Sequence, residues 1–193
     1  MKDKVILVDC DGVLLDWEYA FDVWMVHHGH KIVDKSAYNI ADRYNIVDGK
    51  STIRMFNESA HIGFLPPLRD AIYYVKKLHE EHGYVFHVIT SLSNDQNAQR
   101  LRTINLERLF GKTVFEKYVY LDTGADKDKA LDVYRGTECY WVEDKFENAM
   151  VGSTRGLNSL LVAHNHNAAA AEYKNLDVKR VQNWKEIYGL ITE

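Results

Sequence analysis

Short apolar runs alternate with amphipathic stretches along most of the chain. Five of the apolar runs have the length and composition of buried strands, and they lie at 5–9, 84–90, 118–121, 139–142 and 157–162. The other stretches repeat apolar residues at helical spacing, at 16–28, 68–82, 94–109, 126–134, 146–151, 168–174 and 184–190. Because strands alternate with helices, the pattern predicts an α/β fold in which helices cover both faces of a parallel sheet.

The segment from 31 to 64 interrupts this alternation. It is polar and aromatic without a strand pattern, so we expect two or three short helices, and Pro66 and Pro67 mark its end. The chain is therefore predicted to divide into a core formed by residues 1–15 and 68–193 and a small helical cap formed by residues 16–67, inserted after the first strand.

Composition limits the classes of partner. The 193 residues, 46% of them hydrophobic, suffice for one α/β core with a small insertion. A net charge of −4 argues against duplex nucleic acid as a standing partner, although a metal and local cations can still hold a small anion. No apolar run approaches the roughly 18 residues of a membrane span. We expect a cytoplasmic, reduced protein with no membrane partner and no disulfide, and we leave a homodimer open.

Two acids follow the first predicted strand directly. Asp9 and Asp11 lie at its carboxyl end, the edge at which open α/β sheets bind ligands, and Gly12 lets the backbone turn there. Solvated turn acids are an ordinary alternative, since Asp and Gly are common turn residues. A calcium loop is excluded because apolar residues at 13–15 stand where further oxygen ligands are needed. The pair suits a nucleophile, a proton donor and a magnesium ion in one place.

Polar residues also follow later predicted strands. Hydroxyl residues that follow a strand are often caps of the next helix, and charged residues that follow a strand are often solvated. Because the carboxyl ends of parallel strands meet at one edge, their order along the chain instead predicts a shared site. The residues concerned are Thr90, Ser91, Lys127, Lys129, Glu143 and Asp144.

Four motifs together resemble those of the haloacid dehalogenase superfamily of phosphotransferases. They are D-C-D-G-V at 9–13, V-I-T-S at 88–91, D-K-D-K-A-L at 126–131 and W-V-E-D at 141–144. The resemblance implies a Rossmann-like parallel sheet with a C1-type cap. Three further segments are similar to the 5'(3')-deoxyribonucleotidase branch of that superfamily: 11–18, 61–68 and 163–165.

The resemblance implies roles for the acids and for one lysine. Asp9 is expected to be the nucleophile and to form an aspartyl-phosphate, and Asp11 to be the general acid and then the general base. Lys127 is expected to stabilise the charge on the nucleophile and on the phosphoryl oxygens, with Lys129 as the alternative.

Phosphate and metal ligands follow from the same resemblance. The Thr90 hydroxyl and the Ser91 backbone N–H are expected to bind phosphate. Glu143 is either a further metal ligand or a group that supports the ligands. Magnesium is expected to contact the Asp9 carboxylate, the Asp11 backbone carbonyl and Asp144.

The resemblance implies a nucleoside substrate, and aromatic residues of the predicted cap are candidates for stacking on its base. Phe21 and Trp24 are the rings expected to stack on a base, although rings at these positions can equally form the cap's own core. We therefore expect a Mg²⁺-dependent phosphomonoesterase acting on a small phosphorylated metabolite, first a (deoxy)nucleoside monophosphate. The alternatives are a polynucleotide 3'-phosphatase or sugar phosphatase, and a phosphate- or partner-binding module without catalysis.

Overall fold

The computed structural model describes residues 4–172 and 177–193, with side chains for all of these except 170–172. In this part of the chain six strands pair in parallel: β1 (Val5–Val8), β2 (Val85–Ser91), β3 (Phe115–Leu121), β4 (Tyr140–Glu143), β5 (Asn158–Val162) and β6 (Val178–Val181). Their order across the sheet is β3-β2-β1-β4-β5-β6. The predicted α/β fold with a parallel sheet is confirmed.

Helices connect most of these strands. The α-helices are α1 (Trp17–His27), α2 (Ile40–Tyr44), α3 (Gly49–Asn57), α4 (Ala71–His82), α5 (Gln96–Phe110), α6 (Asp128–Asp132), α7 (Phe146–Ser153) and α8 (Trp184–Thr192). Two 3₁₀ helices span Ala60–Phe64 and Asn165–Glu172. Among the residues that the structure describes, no helix has both the length and the apolar character needed to cross a bilayer.

The central strand β1 is buried on both faces. Ile6 and Val8 belong to the larger hydrophobic cluster, whereas Leu7 belongs to a second cluster that includes Leu131 and Trp141. A strand buried on both faces needs a continuous apolar sequence, which explains the four apolar residues of Val5–Val8. β2 and β4 flank β1, so the strand order reverses here, and open α/β sheets bind ligands at this reversal.

The five predicted strands are present, and none of their ends differs by more than three residues, but β6 was not predicted. β6 has four residues and carries Lys179 and Arg180 at its centre. Charged residues are common on edge strands because they discourage pairing with other chains, and they also weaken the hydrophobic pattern. The helix predicted at 168–174 is a 3₁₀ helix that begins at Asn165, and residues 173 and 174 lie outside the described residues.

The inserted segment contains three short helical elements, which are α2, α3 and the first 3₁₀ helix. Phe21, Met25 and Phe56 belong to the same hydrophobic cluster as β1, so the insertion packs directly on the core. The division into a core of 1–15 and 68–193 and a cap of 16–67 stays a prediction.

Polar contacts also connect the insertion to the loops after β2 and β3. Asn57 accepts a hydrogen bond from Nε1 of Trp17 at 2.9 Å and donates to the carbonyl of Leu92 at 3.0 Å. Arg54 forms an ion pair with Asp122 at 3.2 Å. The insertion therefore lies against the carboxyl edge of the sheet, where the predicted site residues are.

Candidate active site

Asp9 stands at the carboxyl end of β1, where the chain turns away from the sheet. Its backbone N–H donates to the carbonyl of Val142 at 3.0 Å, and the carbonyl of Cys10 then accepts from the N–H groups of residues 13–15. Gly12 in this turn has a φ of 71°, and a Cβ there would overlap the carboxylate of Asp144. The turn therefore brings the loops after β1 and β4 into contact.

Lys127 joins two of the predicted acids. Its Nζ lies 2.9 Å from Oδ2 of Asp9 and 2.6 Å from Oε2 of Glu143, and its side chain is 2% exposed. Burial disfavours the ammonium, but the charges of Asp9 and Glu143 outweigh burial and raise the pKa of Lys127. Lys129 is exposed on α6. The structure thus brings Lys127, and not Lys129, into contact with Asp9.

Glu143 is fully buried and uses both carboxylate oxygens within the protein. Oε2 contacts Lys127, and Oε1 accepts from the backbone N–H groups of Asp144 and Lys145 at 3.1 and 3.0 Å. Burial raises the pKa of Glu143 well above its ordinary value, although the charge of Lys127 acts in the opposite direction. These contacts suit a group that holds Lys127 and the loop after β4 better than a direct metal ligand.

Three carboxylates lie close enough to share a metal ion. One oxygen from each of Asp9, Glu143 and Asp144 falls within 4.8 Å of the others. Oδ1 of Asp9 is buried and has no hydrogen-bond partner among the described residues. Carboxylate oxygens are the ligands that Mg²⁺ prefers, and the unpartnered oxygen leaves one of them free to coordinate. The residues therefore fit magnesium, with Asp9 and Asp144 as the best-suited ligands.

Two histidines after β5 contact this centre. Nε2 of His166 lies 3.3 Å from Oδ2 of Asp144, and Nε2 of His164 lies 2.7 Å from the carbonyl of Gly12. Burial alone would raise the pKa of Asp144, but the hydrogen bond with His166 and the charges of both histidines lower it. Both histidines follow β5 at the carboxyl edge of the sheet, where His164 holds the turn at Gly12 and His166 holds the side chain of Asp144.

The phosphate-binding residues predicted on β2 lie at its carboxyl end. Thr90 is 1% exposed, and its hydroxyl is buried with no hydrogen-bond partner among the described residues. The Ser91 hydroxyl donates to the carbonyl of Ala125 at 2.8 Å, in the loop that leads to Lys127. The free hydroxyl of Thr90 is thus available for an incoming oxygen anion, while the Ser91 side chain supports the neighbouring loop.

Asp11 has a partner that the sequence did not indicate. Nη2 of Arg102 donates to Oδ2 of Asp11 at 3.3 Å, and Nη1 lies 2.7 Å from Oδ1 without hydrogen-bond alignment. Arg102 occupies the buried stripe of α5, one turn after Ala98 and one turn before Leu106. A charged residue at an apolar stripe position was the available signal, and it was missed because arginines on amphipathic helices are usually exposed.

The cap aromatics depart from the prediction. Phe21 has no exposed surface, stacks on Trp17 at 4.5 Å and meets the edge of Phe56 at 5.3 Å. This packing contradicts the predicted substrate contact of Phe21, whose ring belongs to the core. Trp24 is half-buried beside Phe21 and His28, and its contact with substrate stays a prediction.

Solved structures with this architecture match the chain over almost its whole length. Hydrolase SP0104 from Streptococcus pneumoniae, a haloacid dehalogenase-like family protein, has a TM-score of 0.68 at 13% identity and covers 98% of this chain and 99% of its own. The chain has a haloacid dehalogenase-like fold. D,D-heptose 1,7-bisphosphate phosphatase from Burkholderia thailandensis has a TM-score of 0.59 at 12% identity, with 99% of both chains covered. L-2-haloacid dehalogenase from Xanthobacter autotrophicus has a TM-score of 0.61 at 12% identity, with 98% of both covered.

Sequence comparisons extend less far. No family model matches the chain. An uncharacterized 32.4 kDa protein from the Gp30-rIII intergenic region of Enterobacteria phage T4 is 29% identical over 114 residues, which are 54% of this chain and 40% of the phage protein. The chain thus spans less than half the length of the curated relative it matches.

Structures with the haloacid dehalogenase-like fold include both a phosphatase and a dehalogenase. Fold alone therefore does not select the reaction. The choice depends on the side chains at the carboxyl edge of the sheet, above all on the three clustered carboxylates and Lys127.

Proposed function

We propose that the protein is a magnesium-dependent phosphomonoester hydrolase that forms an aspartyl-phosphate on Asp9. The position of Asp9 carries this proposal: Oδ2 contacts Lys127 at 2.9 Å, Oδ1 is buried with no hydrogen-bond partner among the described residues, and the carboxylate belongs to the cluster with Asp144. Haloacid dehalogenation needs no metal, so a carboxylate cluster that fits a divalent cation favours phosphoryl transfer. The free Thr90 hydroxyl adds a donor for a phosphoryl oxygen.

The proposed reaction uses the residues of the chain in two steps. A carboxylate oxygen of Asp9 attacks phosphorus, the bond to the leaving-group oxygen breaks, and Asp11 donates a proton to that oxygen. A water molecule then attacks the phosphoryl group, Asp11 accepts its proton, and the bond from phosphorus to Asp9 breaks to release phosphate. Lys127 stabilises the negative charge in both steps. Bound Mg²⁺ supplies further neutralisation of the phosphoryl charge.

The raised pKa of Asp11 supports its acid–base role. Burial raises the pKa of Asp11 to about 6, the carboxylate of Asp9 acts in the same direction, and Arg102 acts against both. A group that both gives and accepts a proton works best when its pKa is near the operating pH.

Tyr38 supports a nucleoside monophosphate as the substrate. The residue is 61% exposed, and its ring packs at 4.7 Å on the ring of His166, the residue that contacts Asp144. Desolvation where the ring meets the protein, and then the charge of Asp144, raise the pKa of the Tyr38 phenol. An exposed aromatic face this near to the carboxylates can stack on a base while the phosphate reaches Asp9.

Metal removal and a substrate panel test the function. Hydrolysis of p-nitrophenyl phosphate should require Mg²⁺, fall to background with EDTA and return when Mg²⁺ is restored. Nucleoside monophosphates should then give higher kcat/KM than sugar phosphates or oligonucleotides with a terminal phosphate. EDTA-resistant turnover would contradict the metal dependence, and preference for oligonucleotide ends or sugars would contradict the nucleotide. Magnesium-dependent ligand binding without turnover of any substrate would contradict an enzyme.

Replacing Tyr38 tests the nucleotide assignment separately. Tyr38→Leu should raise KM for nucleoside monophosphates by about 5- to 150-fold, because stacking on a base contributes roughly 1–3 kcal/mol. KM for glycerol phosphate, which has no base, should stay the same. Tyr19→Leu is the matched control, since Tyr19 on α1 is equally exposed at 61%. Equal changes for both substrates would show that Tyr38 does not recognise a base.

A further inference from the structure

Arg102 is a fully buried cation, and burying a charge is energetically unfavourable. Its side chain has no exposed surface, and Nε and Nη1 have no hydrogen-bond partner among the described residues. A buried guanidinium with unsatisfied donors usually destabilises a fold compared with an apolar residue of similar size. A contribution to stability therefore does not explain why this arginine is buried, and its contacts indicate another role.

Arg102 contacts the carboxylate of Asp11 as well as the buried Cys10 beside it. Within the described part of the chain, every hydrogen bond and ion pair of the Asp11 side chain is made with Arg102. Oδ1 of Asp11, at 2.7 Å from Nη1, is buried. The 24% of the Asp11 side chain that is exposed therefore lies on its remaining atoms. Arg102 thus contacts a carboxylate whose side chain is partly exposed on atoms other than Oδ1.

We infer that Arg102 is a positioning residue for the general acid, fixing the direction from which Asp11 transfers its proton to the leaving-group oxygen. This inference rests on the proposed phosphatase function. Arg102 has no surface with which to contact substrate, so it acts through Asp11. A misplacement of about 1 Å in a reacting group can reduce a rate about 100-fold, which is the scale of effect that such positioning protects.

The helix that carries Arg102 is suited to this role. α5 follows β2, whose end bears Thr90, and Asp95 caps its start by accepting from the N–H of Ala98 at 2.7 Å. Ala98 and Leu106, one turn on either side of Arg102, are fully buried. A packed and capped helix holds a side chain more firmly than a loop does. The guanidinium is therefore fixed relative to the β2 end that carries the phosphate-binding hydroxyl.

Leaving-group dependence distinguishes positioning from a general structural effect. Phenyl phosphate has a less acidic leaving group than p-nitrophenyl phosphate, so it depends more on proton donation. Arg102→Met should lower kcat/KM for phenyl phosphate about 10- to 100-fold more than for p-nitrophenyl phosphate. Arg102→Lys keeps the charge without the two-pronged contact and should give a smaller effect in the same direction. Arg100→Met, at an exposed position of α5, is the matched control and should change neither value.

A double variant tests whether the effect passes through Asp11. In an Asp11→Asn background, Arg102→Met should no longer change the ratio of the two rates. If Arg102→Met does not fold, as shown by thermal unfolding, Arg102→Lys provides the same comparison. Equal losses for both substrates, with an active wild type, would overturn the inference and leave the proposed function standing. A folded wild type that hydrolyses neither ester would overturn both.

Discussion

Asp9→Asn should reduce kcat/KM for p-nitrophenyl phosphate by about 10⁴-fold or more, because the amide replaces the charged nucleophile on which the reaction depends. The fold should be retained, since Lys127 keeps Glu143 as its counter-ion at 2.6 Å. Steady-state kinetics with saturating Mg²⁺ measures the loss, and thermal unfolding checks the fold. Acid-quenched wild-type enzyme should carry labelled phosphate, whereas the variant should carry none.

Asp42→Asn provides the control for this result. Asp42 is an exposed acid on α2, and its replacement removes the same charge without touching the carboxylate cluster. Its activity should match that of the wild type. Full activity in Asp9→Asn would rule out the aspartyl-phosphate mechanism, and Asp144 would then be the carboxylate to examine for direct activation of water.

The positions of the main site residues were predictable because of sheet geometry. In a parallel sheet, the residue after each strand reaches the same edge whatever the details of the connections. Asp9 and Asp144 directly follow apolar runs that are easy to identify, and the structure brings an oxygen of each within 4.8 Å of the other, while Thr90 lies at the carboxyl end of β2. The register of β1 with β2 and β4 then sets how closely they approach.

Other features depend on tertiary packing that a local pattern does not contain. Arg102 is buried although arginine is usually exposed, and only its place in the stripe with Ala98 and Leu106 distinguishes it from Arg100. The sequence around Phe21 does not show whether its ring faces the core or the substrate, because the residues that cover it come from other parts of the chain. In each case the side chains of another element decide the outcome.

The two lysines of the third motif illustrate the same limit. The sequence favoured Lys127 and kept Lys129 as the alternative, since both lie near the start of a predicted helix. In the structure α6 begins at Asp128, so Lys127 precedes the first turn and reaches the carboxyl edge, while Lys129 is exposed. A shift of two residues at a helix start is within the ordinary uncertainty of helix boundaries, yet it decides which lysine contacts Asp9.

Lys127→Met should affect both activity and stability. Loss of the cation beside Asp9 should lower kcat about 10²- to 10³-fold, by analogy with the loss of one preorganised donor for developing negative charge. Because Glu143 is fully buried, its carboxylate would lose its counter-ion, and the free energy of unfolding should fall by about 3–5 kcal/mol. Lys129→Met, at an exposed position on α6, should change neither quantity.

The double variant Lys127→Met/Glu143→Gln separates these two effects. Glutamine removes the buried charge that the single variant leaves unpaired, so thermal unfolding should return most of the way to the wild-type midpoint. Activity should not return, because the cation that contacted Oδ2 of Asp9 is still missing. If activity recovered together with stability, Lys127 would be a structural counter-ion of Glu143 alone. If neither recovered, the loss of stability would arise from the packing of Lys127 against the ring of Trp141, at 5.3 Å, rather than from the unpaired carboxylate.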